Sequence, residues 1–141
     1  MVNAFLKAIY DKLKGDSDLM TKVGGNANNL YKCHNILAPQ SATLPYIVFG
    51  LLTDMPMGVF GKLDDMEDAT FYLNIYSSTG PKNAGEILDL VKAVLDDADL
   101  TISGYTNDMY CMREYIGTTS YNPDTKAWMI PMRYRVIAEK N

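Results

Sequence analysis

Between Ala69 and Leu100 the chain changes period. Ala69, Phe71, Leu73 and Ile75 alternate with Thr70, Tyr72, Asn74 and Tyr76, the period of two that gives each face of a β-strand its own set of side chains. A Ser-Ser-Thr-Gly-Pro turn follows. Beyond it Ala84, Ile87, Leu88, Val91, Val94 and Leu95 recur at helical spacing, opposite Asn83, Glu86, Asp89, Lys92, Asp96 and Asp97. Two amphipathic elements in succession cover each other's apolar faces, so the segment predicts a helix laid on a half-buried sheet.

The rest of the chain reads around that unit. Phe5, Leu6, Ile9, Tyr10 and Leu13 predict a first helix over Asn3–Lys14, capped by Asn3 and stopped by Gly15. Asp16 or Ser17 caps a second short turn through Leu19, Met20 and Val23, ended by Gly24-Gly25. Residues Asn26 to Thr43 read as loop, with Leu30-Tyr31 able to pair at a sheet edge. Tyr46 to Leu52 is a strand, introduced by Pro45 and rich in strand formers. Thr53 to Asp68 contains Pro56, Gly58 and Gly61 and reads as a loop that carries Met55, Met57, Val59, Phe60 and Met66. Loops face water, so one this apolar folds back on the core or meets a partner. Leu100 to Gly104 adds a short strand. Thr106 to Gly117 alternates ambiguously, as if both faces were partly covered. After the Asn122-Pro123-Asp124 turn, Trp128, Ile130, Met132, Tyr134 and Val136 alternate with Met129, Arg133 and Arg135. These last two strands predict an antiparallel hairpin. Pro131 donates no ladder hydrogen bond, which puts its strand at an edge or a bulge, and edges are where subunits join.

The expected fold is α+β: a mixed, mainly antiparallel sheet of four to five strands, one long helix on a face and a short helical N-terminus. At 141 residues the chain has the size of a single domain, residues 1–141. Ten Tyr and nine Met exceed the needs of one small core, and both types are frequent at protein interfaces. The net charge of −4 repels phosphate, so no specific nucleic-acid binding is expected. Arg113, Arg133 and Arg135 sit on the two late strands and read as solvating an exposed sheet face. Cys33 and Cys111 lie far apart without CxxC spacing and read as thiols rather than zinc ligands. Neither a signal-peptide pattern nor an apolar run of about 18 residues is present; the chain reads as soluble, non-secreted and without a membrane partner.

Candidate chemistry is sparse. His34 is the sole histidine, and its neighbour Cys33 does not make it a nucleophile and base, since such a pair needs facing side chains; it reads as a surface histidine. Asp64, Asp65, Glu67 and Asp68 lack the ligand spacing of a calcium loop and read as a solvated run. Asp96, Asp97 and Asp99 likewise read as a solvated run; they sit at a helix C-terminus, where the dipole disfavours negative charge, a local cost that a neighbouring cation, within the chain or across an interface, would offset. Gly24-Gly25-Asn26 has no Gly-Lys-Ser/Thr ending and is a helix stop, not a phosphate loop. Ser77-Ser78-Thr79-Gly80 reads as a helix cap in place of an anion site. No catalytic group, cofactor or metal is expected.

The order of the pieces carries a resemblance. A helical start closing on Val-Gly-Gly, then Leu-Tyr-Lys, Leu44-Pro45-Tyr46-Ile47-Val48-Phe49-Gly50, Phe71-Tyr72-Leu73-Asn74-Ile75-Tyr76-Ser77-Ser78, Glu86-Ile87-Leu88 to Leu95-Asp96, a Leu-Thr-Ile-Ser-Gly strand and a final Tyr-Arg-Tyr-Arg-like strand together resemble the tail completion or tail terminator proteins of long-tailed phages. The similarity spans nearly the whole chain. It implies a non-enzymatic virion protein of a phage or prophage, present in the host cytoplasm during assembly. Such a protein forms a homo-oligomeric ring, commonly of six copies, that caps the major tail tube protein's polymer and presents a surface to the head-tail connector protein. The expected interaction residues are Met55, Met57, Val59, Phe60, Met66, Pro131, Arg133 and Arg135. Two alternatives remain: a neck or head-completion component on the portal side, and a small-molecule-binding or enzymatic domain, which needs a pocket near His34, Cys33 or the acidic run.

Overall fold

In this computed structural model residues 2–23, 33–35, 44–59 and 62–140 are described, with side chains except at 33–35, 57–59, 62–65 and 107–110. Helices α1 (Val2–Lys14) and α2 (Ser17–Lys22) lead into strands β1 (Cys33–Asn35), β2 (Tyr46–Val59) and β3 (Lys62–Ser77). Helix α3 (Pro81–Leu95) then precedes β4 (Tyr105–Ile116), β5 (Ser120–Asn122) and β6 (Ala127–Lys140). The strands form one sheet of order β1-β2-β3-β6-β4, with β5 also paired to β6. Only β1 runs parallel to its neighbour. The fold is the expected α+β arrangement, with six strands in place of four to five.

The period-two segment fixes which face is buried. Ala69, Phe71, Leu73 and Ile75 are fully buried, as are Ile47, Tyr134 and Val136, with Phe49 and Met132 nearly so. They face one another across the ladder as Ile47 with Ile75, Phe49 with Leu73, Leu73 with Met132 and Ala69 with Val136. All three helices cover this face. Ala84, Ile87, Val91 and Leu95 of α3 and Phe5, Ile9 and Leu13 of α1 close the core. The Phe5 ring meets Phe71 edge-on at 5.4 Å, and Phe71 stacks on Tyr134 at 5.5 Å, arrangements that suit the ring quadrupole. Asp16 caps α2 by accepting the Leu19 N–H at 2.8 Å, and Gly15 donates to Asp11 O as α1 ends. Asn3 lies inside α1 rather than at its cap.

The principal correction concerns residues 53–68, which are no loop. They are the paired far ends of β2 and β3, with Thr53 opposite Thr70, Met55 opposite Asp68, Met57 opposite Met66 and Val59 opposite Lys62. Pro56 is tolerated because β2 there has strand β3 on one side only among the described residues, so a missing N–H on the other side breaks no ladder bond. The second correction concerns Pro131, whose strand β6 lies inside the sheet between β3 and β4. Its carbonyl accepts the Gly117 N–H at 2.8 Å. Backbone N–H and C=O of a strand residue point the same way, so the absent donor faces the break between the end of β4 and the start of β5. Gly117 lets the proline ring approach: a Cβ there would stand 2.5 Å from Pro131 Cγ.

Two smaller expectations change. Leu100–Gly104 forms no strand; Leu100 and Ile102 plug the core, and the Tyr105 N–H closes a turn on Ile102 O. Strand β4, expected to be half-covered on both faces, is exposed at Met112, Tyr115 and Ile116. Leu30-Tyr31 and the Gly24-Gly25 stop lie outside the described residues, whereas edge pairing is seen at Cys33–Asn35 against Ile47–Phe49.

Candidate interaction surfaces

With the helices on one side, β3 and β6 turn Asp68, Thr70, Tyr72, Asn74 and Tyr76, and Met129, Pro131, Arg133, Arg135 and Ile137, to the other. On this open face the Arg135 guanidinium binds Asp68 through two hydrogen bonds of 2.8 and 2.6 Å, a fork geometry specific to arginine. That contact raises the Arg135 pKa further above its already high value. The Arg133 guanidinium lies over the Tyr115 ring at 4.9 Å, which joins β6 to β4 by a cation–π contact. Tyr46 packs on Tyr76 at 5.3 Å. Burial, then the neighbouring Tyr46 phenol, raises the Tyr76 pKa. The Tyr72 ring folds across Gly50, where a Cβ would stand 2.6 Å from the phenol oxygen.

The predicted interaction residues do not form one cluster. Met55 is 57% exposed on the outer half of β2, beside Leu52 at 44%. Met57 and Val59 continue that strand, and Met66 is half-buried across from Met57 on β3. Phe60 lies outside the described residues. Pro131, Arg133 and Arg135 stand on β6, on the open face. Sequence reasoning missed Leu52 and the β4 residues Met112, Tyr115 and Ile116, all exposed. The signal was present for the hairpin: Thr53, Met55, Met57 and Val59 alternate with Asp54, Pro56 and Gly58, and two residues including Gly61 separate Val59 from Lys62, a hairpin pattern.

Polar groups near α3 are structural. Asp96, the C-cap of α3, accepts the Tyr134 hydroxyl at 2.7 Å and sits 3.2 Å from Arg113 Nη1. Of the helix-end acids, Asp96 thus has a neighbouring cation within the chain that offsets the dipole cost. Burial and the Asp96 carboxylate push the Tyr134 hydroxyl pKa far up. The same two causes, burial first, push the Cys111 thiol up to about 12, so it stays protonated and inert. Before α3, the Ser77 hydroxyl accepts the Thr79 N–H and donates to Asn83 Oδ1; the N-cap is Gly80, without a side-chain cap bond. Lys22 pairs with Glu86 and ties α2 to α3.

A cleft of about 670 Å³ between α1 and the segment after α3 is lined by Lys7, Asp11, Lys12, Asp99, Thr101 and Ser103, with Lys7 and Asp11 already paired at 2.6 Å. A second, of about 300 Å³, lies among Leu44, Tyr46, Tyr76, Tyr121 and Met129. Among the described residues no group of three or more His, Cys, Asp or Glu is placed to hold a metal ion, and no helix is long and apolar enough to cross a membrane. The side chains of Cys33 and His34 lie outside the description.

Residues 7–139 match the family described as tail completion protein gp17. No curated protein sequence matches the chain. Among solved structures, the fold is similar to a chain of the virion of a native gene transfer agent (GTA) particle, with a TM-score of 0.71 and 17% identity. The match covers 93% of this chain and 91% of that one.

Proposed function

This chain belongs to the tail completion protein gp17 family, and from that premise we propose that it closes a finished tail tube as a ring of its own copies and joins the capped tube to the head connector. The coarse role, a structural protein of a phage-type virion, comes with the family. The proposal adds the ring, six-fold in the reading from sequence, and the two partners, the major tail tube protein and the head-tail connector protein. It assigns no bond-making chemistry.

The observation that carries the reading is the family match across residues 7–139, nearly the whole chain. The geometry supports it through the kind of surface left open. One sheet face is sealed by helices, while the outer β2–β3 hairpin and strand β4 show large apolar side chains to solvent, which is costly for a free monomer and suits a molecule that works by association. Met55, Met57, Val59 and Met66 on the hairpin, Phe60 next to Val59 in the sequence, and Pro131, Arg133 and Arg135 on the open face are the proposed contacts to neighbour or tube.

The test is deletion of the gene in the particle that encodes it, followed by electron microscopy. Headless tails or tubes of uncontrolled length are expected; normal tails on filled heads would refute the role. Tagged protein retained by tail tubes supports the terminator reading, and retention by portal-side proteins alone moves the chain to the neck.

A further inference from the structure

We propose that Met55 and Met112 form a reversible oxidation site on the open sheet face, and that sulfoxides there weaken the chain's binding to its assembly partner. Exposure singles the pair out. Among the methionines with described side chains, Met55 is 57% and Met112 43% exposed, Met66 and Met129 are half-buried, and Met20 and Met132 are 6% and 1% exposed. An oxidant has to collide with the sulfur itself, so exposure orders the rates at which thioethers react.

Register puts both residues on one face. Met55 stands opposite Asp68 of β3 and Met112 opposite Arg135 of β6, and directly opposed cross-strand residues share a face. The two thioethers therefore flank the Asp68–Arg135 ion pair, whose hydrogen bonds occupy both carboxylate oxygens together with the guanidinium Nε and Nη2. The charges are matched to each other, and the methionines supply adaptable apolar contact area on either side of them.

The chemistry balances with a peroxide as oxidant. The sulfur lone pair attacks one peroxide oxygen; the S–O bond forms as the O–O bond breaks, and the departing oxygen leaves as water after proton transfer. Sulfur is oxidised and the peroxide reduced by the same electron pair. A dithiol reductase reverses the step, yielding thioether, water and a disulfide. Each event replaces an apolar thioether by a polar sulfoxide whose oxygen accepts hydrogen bonds, so apolar contact over that position desolvates a polar group. The effect on binding rests on the reading above that this face meets a neighbour or the tube, whereas the site itself rests on exposure.

The purified chain, at a dilution where it sediments as a monomer, is treated with hydrogen peroxide and its methionines are followed by peptide mass spectrometry, with thermal melts to check the fold. Met55 and Met112 are expected to oxidise at least about tenfold faster than Met20 and Met132; a buried methionine that keeps pace with either overturns the site. Chain carrying both sulfoxides is then offered to tail tubes or portal-side proteins, whichever retains the untreated chain. Retention is expected to weaken at least about tenfold and to recover after methionine sulfoxide reductases for both sulfoxide epimers. Equal retention before and after peroxide, or no recovery, overturns the effect on binding. Untreated chain retained by neither partner refutes the tail-closing reading and that effect with it, while the oxidation rates still decide the site.

Discussion

Tyr134 connects three parts of the molecule, and removing its hydroxyl tests the account of how α3 is fixed to the sheet. The side chain is fully buried, stacks on Phe71 with 14° between ring planes and donates to Asp96 Oδ1 at 2.7 Å. Tyr134→Phe keeps the ring and its packing and deletes one hydrogen bond to a charged acceptor, nominally ~1.5–3 kcal/mol. The Asp96 side chain is 34% exposed, so water recovers part of that, and the expected loss is about 1–2 kcal/mol. For a chain of this length that corresponds to a melting temperature lower by roughly 3–8 °C. Urea unfolding followed by far-UV circular dichroism should show a lower midpoint at unchanged m. A cycle with Asp96→Ala should show a coupling of about 1 kcal/mol, since the partners share one bond. A Tyr134→Phe chain within about 0.3 kcal/mol of wild type, or a strictly additive double variant, would refute the bridge.

The Cys111 thiol, pushed up to about 12 by burial and by Asp96, should resist alkylation at pH 8 in the native protein and react on unfolding. A raised acid pKa means that the unfolded chain loses its proton first, so stability should fall as the pH climbs from about 9 towards 12. Cys111→Ala should flatten that decline in urea titrations run across this pH range. Gly117→Ala drives a methyl group to 2.5 Å from Pro131 Cγ and should cost about 1–3 kcal/mol in chemical unfolding, with Pro131→Ala in the same chain restoring most of it. Asp97 follows the C-cap of α3 at φ 58°, a left-handed position that favours glycine. Asp97→Gly should therefore raise stability by about 0.5–1 kcal/mol, read as a higher melting temperature.

Much of this was legible from periodicity. The alternation from Ala69 to Tyr76 identified the buried face of β3 residue by residue, and the spacing of Ala84, Ile87, Val91 and Leu95 identified the buried stripe of α3. A side chain's face follows from local geometry alone, so a short window suffices. The order of the motifs also pointed to the tail completion family. The hairpin was lost for a local reason: Pro56, Gly58 and Gly61 read as breakers, although the alternation through Met55, Met57 and Val59 continued across them.

Strand neighbours belong to another level. That β6 inserts between β3 and β4, and so places Pro131 inside the sheet, depends on pairings between residues some sixty positions apart, such as Asn74 with Pro131. The same long-range pairing brought Arg135 to Asp68, Tyr134 to Asp96 and Arg133 over Tyr115, and it left Leu52 and Met55 on the outer half of β2, and Met112, Tyr115 and Ile116 on β4, exposed. Sequence determined which side chains face inward, because that is set by backbone geometry over a few residues. Only the tertiary structure decided which strands meet, because edges and cross-strand partners exist only once distant segments have paired.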